Sequence, residues 1–85
     1  MQITIKYFAS LREALGRRSE QLAVPEGVRT LAQLRAYLVA QGAPYAEPLA
    51  AGRAVRAALD QTVCDDATPL HDGAEVAFFP PVTGG

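Results

Sequence analysis

Polar and apolar residues alternate from Gln2 to Phe8. Ile3, Ile5 and Tyr7 fall on one side; Gln2, Thr4 and Lys6 fall on the other. That period of two predicts a half-buried strand. The period then changes. In SLREALG, Leu11 and Leu15 share a helical face, Ser10 and Glu13 have capping-box spacing, and Gly16 can close the short helix. Arg18 to Val24 returns to alternation with Leu22 and Val24 together, and Pro25-Glu26-Gly27 is a turn. Thr30 and Gln33 form a second capping-box pair. Leu31, Leu34 and Leu38 follow at i, i+3, i+7, which predicts an amphipathic helix ending near Gly42. Pro44 and Pro48 bracket a loop with room for one helical turn.

From Arg53 onward the pattern is strand-like. Val55, Ala57 and Leu59 alternate, and Asp60-Gln61 turns into a short strand at Thr62–Cys64. A polar loop with an Asp72-Gly73 turn leads to a last strand, Glu75 to Phe79, which Pro80 ends. The predicted order is β-α-β-α-β-β-β: an α+β fold, with a mixed sheet of about five strands covered on one face by one main helix plus a short one.

Strand parity singles out two residues. Phe8 continues the polar face of Gln2, Thr4 and Lys6. Phe79 falls with Glu75 and Ala77, whereas Val76 and Phe78 form the core set. If the first and last strands are neighbours, Phe8 and Phe79 form one exposed apolar patch, joined by Val63, and such a patch marks a partner surface. The short first helix could instead cover Phe8.

Composition narrows the classes. At 85 residues with 49% hydrophobic, the chain is one domain resting on packing, because its single cysteine makes no internal disulfide. A lone thiol suits a reducing cytoplasm. Net charge is −1 and the basic residues are scattered, without the aromatic-interleaved basic stripe of a nucleic-acid binder. No apolar run approaches a membrane span, and the N-terminal run lacks the layout of a signal peptide. Cys64 reads as packing, His71 as a solvated turn residue, Asp65-Asp66 as a loop charge pair, and Arg12, Arg17 and Arg18 as surface charges. A lone histidine is no metal site.

The sequence finishes EVAFFPPVTGG. Pro80-Pro81 is a stiff, extended spacer. Val82 and Thr83 follow, and Gly84-Gly85 can thread where a Cβ would obstruct. Residues 1–79 thus read as the domain and 80–85 as a tail reaching at most roughly 20 Å.

Three stretches, IKYFASLREALG, DGAEVAFFPP and PPVTGG, resemble the small subunit of molybdopterin synthase, a ubiquitin-like sulfur carrier. Order, spacing and length fit over the whole chain. Ala74 departs from the acidic residue that relatives often carry in what reads as a turn. The resemblance implies a β-grasp fold with the first and last strands parallel and adjacent in mid-sheet. It also implies that an adenylyltransferase resembling ubiquitin-activating enzymes uses ATP to activate the carboxylate of Gly85. Sulfur then replaces one oxygen, and the thiocarboxylate serves cyclic pyranopterin monophosphate on the large synthase subunit in a heterotetramer. The chain would be the co-substrate, with Gly84 and Gly85 reacting and Phe8, Val63, Phe79, Pro80, Pro81, Val82 and Thr83 meeting the partner. It would bind no cofactor or metal and supply no acid or base. Two rivals share the Gly-Gly end: the sulfur carrier of thiamine thiazole synthesis and a ubiquitin-like protein modifier. A plain interaction module is a third.

Overall fold

The computed structural model describes residues 1–81. Seven elements follow the predicted order: β1 (Gln2–Tyr7), α1 (Ala9–Leu15), β2 (Ser19–Ala23), α2 (Leu31–Ala40), β3 (Arg56–Leu59), β4 (Thr62–Cys64) and β5 (Glu75–Phe79). The five strands form one mixed sheet in the order β2-β1-β5-β3-β4. β1 and β5 run parallel at its centre, and the other pairs are antiparallel. This is the β-grasp arrangement, in which one sheet wraps one principal helix.

The core lies on the helix side of the sheet. Ile3, Ile5 and Tyr7 of β1 and Val76 and Phe78 of β5 are buried there against Leu31, Leu34 and Leu38 of α2 and Leu11 and Leu15 of α1. Parity therefore sorts both central strands as their sequences require. The Tyr7 and Phe78 rings stack at 6.3 Å between centroids. Loops complete the core with Val28, Leu49, Leu70 and Ala74, none of which belongs to a periodic pattern. Ala74 is fully buried just past the Asp72-Gly73 turn, and its carbonyl accepts the Thr4 N–H at 2.9 Å.

Both helix starts carry capping-box spacing, and only one uses it. Thr30 Oγ1 accepts the Gln33 N–H at 3.2 Å, and Gln33 Oε1 accepts the Thr30 N–H at 3.2 Å. At α1, Ser10 is inside the helix. The cap position is Phe8, which has no side-chain acceptor. Strand pairing sets that start instead. The Phe8 N–H donates to the Phe78 carbonyl at 3.1 Å, and the Phe8 carbonyl accepts from Leu11 at 3.1 Å. The chain leaves the sheet and enters the helix with no loop for Ser10 to cap.

Two polar clusters tie loops to this frame. Glu20 of β2 accepts the Tyr7 hydroxyl at 2.8 Å, accepts the Tyr45 hydroxyl at 2.8 and 2.9 Å, and pairs with Arg17 at 3.0 Å. Burial, reinforced by the Glu20 hydrogen bonds, pushes both phenols above their ordinary value. Arg17 is an exposed surface charge, as expected, and it is engaged by Glu20 and Tyr45. Arg35 of α2 donates to the carbonyls of Leu49, Ala50 and Arg53, fastening the segment that precedes β3.

His71 is exposed, as expected of a turn residue, but it is not merely solvated. Its Nε2 lies 2.6 Å from Asp60 Oδ2, and the Glu75 N–H donates to Asp60 Oδ1 at 2.9 Å. The Asp60 hydrogen bond raises the His71 pKa from its ordinary 6.5. The Glu75 N–H, then His71, lower that of Asp60 from 3.8. The histidine's contribution is present below about pH 6.5 and is lost as pH rises through its folded value. The aspartate's is present above about pH 3.8 and is lost as pH falls through its own. The pair stabilises most between those limits. A nuclear magnetic resonance titration of His71 is expected to give a midpoint above 6.5, and Asp60→Asn is expected to bring it back down. An unchanged midpoint in the variant would show that the contact is not populated in solution.

Candidate functional site

The sheet face opposite the helices carries the predicted patch. Lys6 pairs in register with Ala77, Ala77 with Ala58, and Ala58 with Val63, giving one row across four strands. The next row contains Phe79 of β5 opposite Arg56 of β3. Phe8 lies one step beyond the Tyr7↔Phe78 pair, beside Phe79. Strands are about 4.8 Å apart, so the two phenylalanines are neighbours. Phe8 is 45% exposed and Val63 53%, and Phe79 is half-buried. Helix α1 therefore does not cover Phe8.

Val63 does not touch the phenylalanines through a common row. It joins them across a floor of Ala77 and Ala58, the latter buried although it belongs to no part of the main core. The predicted alternation of Val55, Ala57 and Leu59 missed Ala58 because it counted only the core side. Lys6 and Glu75 pair at 2.6 Å along the margin of this face.

The tail leaves beside this patch. β5 ends at Phe79; Pro80 is half-buried and Pro81 exposed. On the helix side, Pro80 forms part of the wall of a groove of about 850 Å³ with Ser10, Ala14, Pro44, Pro48 and Val55. Val82, Thr83, Gly84 and Gly85 lie outside the described residues. Cys64 is half-buried against the core, as a packing residue should be. Among the described residues, no group of three or more His, Cys, Asp or Glu side chains could hold a metal ion, and no helix is long and apolar enough to cross a membrane. Asp65 Oδ1 caps its own loop, accepting the Ala67 N–H at 3.0 Å, rather than facing Asp66 as a catalytic dyad.

The fold defines a ubiquitin-like β-grasp protein, and this one carries an exposed apolar face beside the end of its last strand. The chain belongs to the ThiS family, whose model matches residues 5–85. It is 41% identical over 83 residues to the molybdopterin synthase sulfur carrier subunit of Escherichia coli, covering 98% of this chain and 99% of that one. Among solved structures it resembles a chain of the complex of subunits 1 and 2 of molybdopterin-converting factor from Helicobacter pylori, with a TM-score of 0.67, 26% identity and both chains wholly covered. It also resembles SAMP1, a small archaeal modifier protein of Haloferax volcanii, with a TM-score of 0.77, 22% identity and both chains wholly covered. The last likeness is one of fold alone.

Proposed function

We propose that this protein is the sulfur carrier subunit of molybdopterin synthase and that Gly85 carries the sulfur. The observation that bears most weight is the apolar face of Phe8 and Phe79 at the root of the terminal segment. A protein that only stored a reactive end would not need it. One that must seat its end in a partner's pocket does.

The chemistry follows from the carboxylate. It is ionised at neutral pH and resists nucleophiles, so it needs activation. Transfer of AMP from ATP gives an acyl-adenylate with loss of pyrophosphate. Attack on its carbonyl by sulfide-level sulfur then expels AMP and leaves a thiocarboxylate. This reading gives the chain two successive partners. One is an adenylyltransferase resembling ubiquitin-activating enzymes, which binds the ATP. The other is the large synthase subunit, in a heterotetramer, where sulfur passes to cyclic pyranopterin monophosphate. The Helicobacter structure, a complex of subunits 1 and 2, supports the second. The chain itself contributes a tail and a docking face, without cofactor or metal, in the cytoplasm.

Intact-mass analysis of protein isolated from its own cells tests this. A fraction heavier by sulfur minus oxygen, located on Gly85, is expected. Conjugates to lysines of other proteins, without that fraction, would instead make it a modifier. Incubating the thiocarboxylated chain with the large subunit and cyclic pyranopterin monophosphate is expected to return the mass to the carboxylate. Failure there with a thiocarboxylate present would favour the thiamine thiazole pathway.

A further inference from the structure

Arg56, the first residue of β3, borders the apolar face at its aromatic end. It is opposite Phe79 in register on one side and Asp65 on the other, and it adjoins the Ala58↔Val63 pair. Its neighbour Ala57 points into the core, which sends Arg56 outward, where it is exposed. No carboxylate among the described residues lies within ion-pair distance of it. Lys6 already holds Glu75. Asp65, one step beyond the Ala57↔Cys64 pair, is the nearest acid by register, and its Oδ1 is occupied by its own loop.

A cation beside the aromatic anchor of a docking face loses water when the face is covered. Desolvation without a partner would oppose binding, whereas a carboxylate placed over it restores the lost interactions and fixes register. We propose that the large synthase subunit presents an Asp or Glu side chain to Arg56, and that this ion pair selects the matching large subunit. This rests on the docking of the Phe8–Phe79 face proposed above. The guanidinium can hold a carboxylate by two parallel N–H donors, which sets orientation as well as charge.

The test is binding of folded Arg56 variants to the large subunit from the same organism, by calorimetry and by association kinetics at several salt concentrations. Arg56→Leu extends the apolar face, so it weakens binding only if a carboxylate is left unpaired. A loss of about tenfold or more is expected for Arg56→Leu and a larger one for Arg56→Glu, together with a shallower salt dependence of association in Arg56→Leu. A charge reversal at one acidic residue of the large subunit is expected to restore Arg56→Glu. Leucine binding as tightly as arginine overturns the proposal, as does retention of the salt dependence. Phe79→Ala separates the two levels. If it loses the large subunit while Arg56→Leu does not, the docking face stands and the ion pair falls. If Phe79→Ala also binds normally, the docking face itself is wrong.

Discussion

Phe78→Ala is expected to unfold or badly destabilise the domain, while Phe79→Ala keeps it folded and loses the large subunit. The two rings are consecutive, and parity puts them on opposite sides of β5. Phe78 is 2% exposed and stacked on Tyr7 at the centre of the core. Its truncation leaves a cavity between the two central strands and α2, costing about 3–5 kcal/mol. Domains of this size have a total stability of roughly 5–15 kcal/mol, so a large share of the margin goes. Phe79 faces the other way, half-buried beside Phe8. Its truncation removes little from the core, but an aromatic anchor near the middle of an interface typically contributes about 2 kcal/mol or more, roughly thirtyfold in affinity. Thermal melts and calorimetric titration on both variants decide the matter. Early melting of Phe79→Ala with normal melting of Phe78→Ala would mean that the facing is inverted.

The separation of these two residues was legible in the sequence because a strand has a period of two, and one buried face fixes all its neighbours. The same logic recovered β1, the Thr30 cap and the Leu31-Leu34-Leu38 stripe. It failed where tertiary contacts, not local pattern, decide the outcome. Ser10 and Glu13 have the spacing of a cap, but β1 feeds α1 directly and leaves the cap position to Phe8. Leu49 and Leu70 are buried by loops whose course no periodicity encodes. Glu20, Tyr45 and Tyr7 are far apart in sequence and meet only once β2 has paired with β1 and the loop after α2 has folded back. Arg56 shows the same limit at the candidate site. Its residue type is ordinary for a surface strand. Only the register, which puts it opposite Phe79, gives it significance. Gly84 and Gly85 lie outside the described residues, and their chemistry rests on the proposed function alone.

Deleting Gly85 is expected to abolish thiocarboxylate formation and leave the melting temperature within about 3 °C of the wild type. Among the described residues the core runs from Ile3 to Phe78 and β5 ends at Phe79, so the packing that holds the fold is assembled before the tail begins. The deletion also separates chemistry from reach. The shortened chain still ends in a glycine carboxylate, with the same intrinsic reactivity, but that group is set back by up to about 3.5 Å. Adenylylation requires the attacking oxygen in line with the α-phosphate of ATP, and a misplacement of even about 1 Å can cost a hundredfold in rate. On the docking proposed above, the domain is held at a fixed distance and the shortened end stops short of the nucleotide. Incubation with the activating enzyme, ATP and a sulfur donor, followed by intact-mass measurement, checks this. A thiocarboxylate on the truncated chain would show that the enzyme follows the end inward and that the docking face does not set the reach. A melting temperature lowered by many degrees would show that the terminal residue belongs to the fold.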